Sequence, residues 1–373
     1  MREFLKTVFN KCKFLVLALV CSTFIIALPF NFRFGLYAKN VQNSVFAETN
    51  HGESAIVIEK TSKRVLYEKN AYEKKFMAST TKILTAITIL ENCDPEAVVT
   101  VGQETVGVEG SSIYLEAGER LSVKDLLYGL MLRSGNDAAE TLAVYCSKNI
   151  KSFSELMNAT AKKIGATNSN FVNPHGLHDD KHYTTAHDLA LIAGYAMNNE
   201  IFREIVSCKT KKIPCTTRNY DRILVNKNKM LKEFDGATGI KTGYTKNAGR
   251  CLVSSCLRDG MELICVVLNC PPMFEESERL LTESFSKYKL RKLVGADNVL
   301  GFIRKDGTKE LCGVYTKTDV VLPMTDEEFD CHKIIYDYPQ ILANDCKKDE
   351  EIGLIKIYCQ NNLIFSQKIY TLI

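Results

Sequence analysis

Cys251-Leu252-Val253-Ser254-Ser255-Cys256-Leu257-Arg258-Asp259-Gly260-Met261-Glu262-Leu263-Ile264-Cys265-Val266-Val267-Leu268 holds two apolar runs joined by Arg-Asp-Gly. Runs of this length around an Asp-Gly turn predict an antiparallel hairpin. Just upstream, residues 239–244 read as a third strand. Near the other end of the region, Ala55-Ile56-Val57-Ile58 and Val65-Leu66-Tyr67 flank the turn Thr61-Ser62-Lys63-Arg64, a second hairpin. Helices are expected between these strand groups. Residues 79–90 place Ile83, Leu84, Ala86, Ile87 and Leu90 at three-to-four spacing behind a Ser/Thr cap. Residues 123–133, 138–147, 153–164 (closed by Gly165) and 186–197 continue the helical pattern, and residues 274–290 form a last amphipathic helix. Hairpin, helices, strands, helix is the order of an α+β fold whose sheet combines strands from both ends of the region.

Ahead of this region the texture differs. Arg2, Lys6, Lys11 and Lys13 precede an apolar run over residues 14–30, the layout of an export signal or an uncleaved membrane anchor. The whole chain of 373 residues has 48 Lys/Arg against 44 Asp/Glu, a net charge of +4. Residues 1–47 hold six of those basic residues and one acid, so the remainder carries 42 against 43, a net of −1. The basic excess belongs to the leader, and nothing in the balance suggests a nucleic-acid partner. Two of the 14 cysteines also lie in the leader. Exported chains use cysteine mostly for disulfides. Cys208 with Cys215, or Cys251 with Cys256, are candidate bridges, while Cys256 and Cys265 also suit the role of small hydrophobes. Beyond residue 294, short strands and turns, ending in a hairpin around Gln360-Asn361-Asn362, read as a separate small β domain.

Chemistry enters with Ser79-Thr80-Thr81-Lys82. On a helix this spacing places a hydroxyl and an amine on one face, and an amine held neutral by burial and nearby positive charge can activate the hydroxyl. The tetrad alone is weak, since Ser284 to Lys287 and Ser286 to Lys289 repeat it on what reads as a solvated helix face. Ser134-Gly135-Asn136 in a loop and Lys241-Thr242-Gly243 in a strand change the weight. Ser134 follows Ser79 by 55 residues and Lys241 follows it by 162.

With Ala78-Ser79-Thr80-Thr81-Lys82, Arg133-Ser134-Gly135-Asn136-Asp137-Ala138-Ala139 and Gly239-Ile240-Lys241-Thr242-Gly243-Tyr244-Thr245, the chain resembles the D-alanyl-D-alanine carboxypeptidases. These belong to the low-molecular-mass penicillin-binding protein group, active-site-serine enzymes with S-x-x-K, S-G-N and K-T-G motifs. Asn173-Pro174-His175-Gly176-Leu177 and residues 183–190 strengthen the likeness, which covers about residues 54–289. It implies a β-lactamase/transpeptidase-like domain over 48–293, preceded by a leader over 1–47 and followed by the β domain over 294–373. It also implies an exported enzyme acting on peptidoglycan stem peptides ending in D-Ala-D-Ala, acylated by β-lactam antibiotics and needing no cofactor or metal. The roles it implies are Ser79 as nucleophile, Lys82 as general base and Ser134 as a proton relay to the leaving amine. Asn136 would hold the substrate amide. Lys241, Thr242 and Gly243 would form the carboxylate-binding strand, with backbone N–H groups of Ser79 and Tyr244 as the oxyanion hole.

Two departures stand out. Cys270-Pro271-Pro272-Met273-Phe274 has methionine where relatives often carry an arginine, so the substrate carboxylate must be gripped more by Lys241 and Thr242 or by an arginine elsewhere. The chain also ends in a strand-like stretch where several relatives have an amphipathic membrane helix. Among rivals, a class A β-lactamase would need a water-activating glutamate, and no E-x-x-L-N segment lies between Asn136 and Lys241. An endopeptidase or transpeptidase would use the same residues. A non-catalytic wall-binding protein would be expected to have lost Ser79, Lys82 or Lys241.

Overall fold

In a computed structural model, which describes residues 52–296 and 298–372, strand β1 (Ser54–Glu59) turns into β2 (Val65–Lys69). The leader expected over residues 1–47 lies outside the described residues. A 3-10 turn over Ala78–Thr81 runs straight into helix α1 (Lys82–Asn92). A short ribbon of β3 (Val98–Thr100) and β4 (Arg120–Ser122) precedes α2 (Val123–Tyr128), which loosens into a π-turn over Gly129–Arg133. Then come α3 (Asn136–Ser147), α4 (Ile150–Ile164), α5 (Ala186–Ala196) and α6 (Glu200–Ser207). Their starts have identifiable causes. The side chains of Ser122, Asn149, Thr185 and Asn199 each accept the N–H three residues on, and Gly165 closes α4 at φ 100°.

A hairpin of β5 (Thr210–Cys215) and β6 (Tyr220–Val225), then the short α7 (Met230–Glu233), lead to β7 (Ala237–Thr245), β8 (Gly249–Arg258) and β9 (Met261–Leu268). These join the first hairpin in an antiparallel sheet of order β2-β1-β9-β8-β7, with Val57 opposite Cys265 and Lys241 opposite Val253. The sheet therefore combines strands from both ends of the region, as the sequence order predicts. All eight β9 side chains are buried, so the strand reads as a continuous apolar run, and both α5 and the helix α8 (Met273–Lys287) pack on it. Each such Ile or Val contributes about 1.5–3 kcal/mol through burial.

After α8, β10 (Lys289–Val294) pairs with a later strand, and β11 (Gly301–Lys305) and β12 (Leu311–Tyr315) open a second sheet. β13 (Val320–Met324) and helix α9 (Asp326–Cys331) follow, and β14 (Lys333–Asp337), β15 (Ile341–Leu342), β16 (Glu351–Cys359) and β17 (Asn362–Leu372) complete that sheet. β13 pairs with β10, and the six-stranded order is β14-β16-β17-β12-β11-β15. This lobe encloses its own apolar cluster around Val314, Leu322, Ile355, Ile357 and Ile369, apart from the cluster under the first sheet. Arg64 bridges the two, pairing with Glu328 and donating to the Pro323 carbonyl. No helix among the described residues is long and apolar enough to cross a membrane.

Several expectations are corrected. The last helix stops at Lys287, three residues early, because Lys289 to Val294 pairs as a strand instead. Ser284 lies buried, not on a solvated face, and returns its hydroxyl to the Leu280 carbonyl. The sequence reading assigns nothing to β3, β4, β5 or β6. The two cysteine bridges are absent, and all twelve described cysteines are free thiols. Cys251 and Cys256 lie on one extended strand, β8, which holds their Cα atoms about 16 Å apart. Cys208 precedes β5 and Cys215 ends it, with the same consequence. A disulfide needs Cα atoms within about 7 Å.

Candidate active site

Ser79 sits in a turn that the sequence closes on itself. Thr80 Oγ1 donates to the Met77 carbonyl at 2.6 Å, and Thr81 Oγ1 donates to the Ala78 carbonyl at 2.8 Å. The two threonines between Ser and Lys thus tighten the backbone into a 3-10 turn, with Ala78 at φ +48°. Two glycines make room for it. A Cβ on Gly176 would stand 1.9 Å from the Ala78 oxygen, and one on Gly243 would stand 3.1 Å from Met77 O, Ser79 N and Thr80 N. The Ser79 turn is consequently wedged between the 173–177 loop and strand β7. From below, His182 Nδ1 accepts the Val172 N–H, which leaves Nε2–H to donate to Thr81 Oγ1 at 2.8 Å.

Lys82 begins α1 and is fully buried. Its Nζ lies 2.7 Å from Asn136 Oδ1, 2.6 Å from the His175 carbonyl and 3.2 Å from Ser79 Oγ. The Asn136 amide is oriented by Nδ2, which donates to the Glu109 carbonyl at 2.5 Å. Burial, followed by the positive charges of Lys241 and Lys227, drives the Lys82 amine well below its ordinary value. A neutral amine has two N–H donors and one lone pair. Two carbonyl oxygens that can only accept take both donors, so the lone pair faces the Ser79 hydroxyl.

Ser134 and Asn136 arrive on the connection between the π-turn and α3. Ser134 adopts a left-handed conformation at φ 64°, and its buried Oγ has no hydrogen-bond partner among the described residues. Its hydroxyl can therefore both donate and accept a hydrogen bond. The neighbouring Asp137 carboxylate accepts from Ser112 Oγ and from the Ile113, Leu115 and Ala138 N–H groups, fixing the 109–115 loop beside the site.

Lys241 is buried on β7, and burial with the Lys227 charge lowers it to about 7. Its Nζ donates to the Thr242 carbonyl at 2.8 Å. Thr242 is half-buried. Tyr244 is exposed, with the Arg250 guanidinium 5.6 Å above its ring. Direct hydrogen bonds thus join Ser79, Lys82 and Asn136. Gly243 touches the Ser79 turn, and Lys241 acts on Lys82 through its charge. Sequence reasoning missed two contributors. Lys227, between β6 and α7, donates to Ser111 Oγ at 3.2 Å and bears on both buried lysines. His175, whose carbonyl receives Lys82, is held by Glu140 with Nε2 3.3 Å from Oε1. Only Asn173-Pro174-His175-Gly176 hinted at the loop, and nothing in the sequence singles out Lys227. Nearby, His178 packs edge-on against Phe76, and His187 lies 3.6 Å from Asp188.

A serine hydroxyl facing a buried neutral amine, beside a cationic strand, defines a serine-dependent acyl-transfer enzyme of the penicillin-binding-protein, transpeptidase-type α+β fold. Residues 41–271 match the family profile of D-alanyl-D-alanine carboxypeptidase, and the chain belongs to that peptidase family. It is 30% identical over 318 residues to the D-alanyl-D-alanine carboxypeptidase DacF of Bacillus subtilis, covering 82% of this chain and 81% of the relative. It is 35% identical over 272 residues to DacC of Escherichia coli, covering 69% and 66%. Penicillin-binding protein 5 of Haemophilus influenzae superposes with a TM-score of 0.77 at 25% identity, covering 88% of this chain and 98% of the other.

Proposed function

We propose that this chain removes the terminal D-alanine from wall peptides ending in D-Ala-D-Ala, through an acyl-enzyme on Ser79. The observation that carries the reading is the saturation of the Lys82 donors by Asn136 Oδ1 and the His175 carbonyl, which aims the lone pair at Ser79 Oγ. Ser79 attacks the carbonyl between the two D-alanines while Lys82 takes its proton. The Ser134 hydroxyl passes a proton to the leaving amine. Asn136, engaged here by Lys82 and Glu109, positions the base; holding the substrate amide requires its Nδ2 to exchange Glu109 for substrate. Lys241 and Thr242 bind the terminal carboxylate, and Lys227 supplies the second cation in a chain that has Met273 where relatives often carry arginine. Backbone N–H groups of Ser79 and Tyr244 receive the developing oxyanion.

The same proposal places the enzyme outside the cytoplasm, on the strength of the basic and apolar leader. It treats residues 294–373 as a separate β domain, on the strength of the lobe's own apolar cluster. The test is D-alanine release from a pentapeptide ending in D-Ala-D-Ala. Release by the wild type and none by Ser79→Ala supports the reading; equal release by both sinks it.

A further inference from the structure

Helices α1 and α3 begin together at the site, where Lys82, the first residue of one, bonds to Asn136, the first residue of the other. Cys93 lies 11 residues beyond Lys82 and Cys146 lies 10 beyond Asn136. At 1.5 Å per residue both are about 15–17 Å along their helices, so a pair that meets at the head should meet again at the tail. It does. Cys93 and Cys146 are side-chain neighbours that perturb each other's titration, and both pack half-buried against the same apolar cluster.

We propose that Cys93 and Cys146 form a dithiol–disulfide couple that staples the two catalytic helices at the end remote from the active site. The nearness of the thiols supports this, since it holds Cys146 below the ordinary thiol value and Cys93 above it. The oxidant is an external low-molecular-mass disulfide, R–S–S–R. The Cys146 thiolate attacks one sulfur and expels RS⁻, giving a mixed disulfide. Cys93 then attacks the Cys146 sulfur and expels the second RS⁻. The two protein protons end on the released thiols, so one R–S–S–R becomes two R–SH for each protein disulfide. Closing the 53-residue span between the cysteines restricts the unfolded chain and stabilises the fold without touching the acylation machinery. The chemistry does not depend on the proposed substrate.

The test treats the reduced full-length chain with oxidised glutathione, alkylates remaining thiols, quenches in acid and maps peptic peptides. The expected result is a peptide pair linked through Cys93 and Cys146, a melting temperature raised by several degrees and unchanged acylation by labelled penicillin. In Cys146→Ala and Cys93→Ala the linked pair disappears and the rise shrinks. The proposal is overturned by Cys93 and Cys146 remaining alkylated, by either keeping glutathione as the end product, or by an equal rise in the alanine variants. Failure of D-alanine release would leave this result standing, and failure of the linkage would leave the peptidase reading standing.

Discussion

At the scale of residues, the site depends on two buried lysines whose burial works against their usual charge. Lys82 serves as a base only while neutral, and Lys227 helps keep it so. Removing that positive charge in Lys227→Met raises the Lys82 value, so the acid limb of the kcat/KM profile for D-alanine release should move to higher pH. KM should rise roughly tenfold as a carboxylate partner is lost. An unmoved acid limb would show that Lys227 does not act on the base. Lys241, at about 7, sits well below the roughly 10.4 of an unfolded lysine. Between those values the unfolded chain binds more protons than the folded one, so stability rises with pH. The destabilisation due to Lys241 is fully present below pH 7 and gone by about pH 10. Lys241→Met should therefore raise the melting temperature by several degrees at pH 7 and by little at pH 10 while abolishing carboxylate binding, a trade of stability for function. A lower melting temperature at pH 7 would contradict this account.

At the scale of elements, the Ser79 turn depends on what lies against it. Gly176→Ala puts a Cβ into the Ala78 carbonyl at a backbone φ of +89°. The substitution should destabilise the fold by about 1–3 kcal/mol in denaturant titration and displace Ser79 from Lys82, with a marked fall in penicillin acylation. Retained acylation would show that the close approach is dispensable. The elements near this turn differ in how well the sequence announces them. Ser79-Thr80-Thr81-Lys82 is readable because nucleophile, base and the hydroxyls that tighten the turn are adjacent in the chain. The hairpin of residues 251–268 is equally readable from its apolar runs and Asp-Gly turn. Lys227 and the His175 carbonyl are not, because only the crossing of loops brings them to Lys82. β3 and β4 escape notice at three residues each. β5 and β6 do so because lysines and arginines share their strands with apolar residues, and Arg222 is buried against Glu119 at 2.8 Å instead of facing solvent. The end of α8 is misread because Leu290 fits the helical spacing, whereas its pairing opposite Pro323 depends on a strand more than thirty residues later.

At the scale of the whole molecule, a catalytic sheet with its helices and a β lobe with its own core meet through Arg64, Glu328 and the Pro323 carbonyl. This partly buried contact links the turn after β1 to α9. Arg64→Ala should lower the melting temperature by a few degrees and speed protease cleavage between residues 288 and 300, with penicillin acylation intact. Loss of acylation would mean that the lobe contact shapes the site. The charge distribution is uneven along the chain, since the basic excess lies in residues 1–47 and the remainder is nearly neutral. The most direct test of the central claim is the intact mass of the full chain after brief exposure to penicillin, with the adduct mapped by peptide sequencing. The account predicts one penicilloyl group on Ser79 in the wild type and none in Ser79→Ala or Lys82→Ala. An adduct on another residue, or an unmodified wild type, would contradict it.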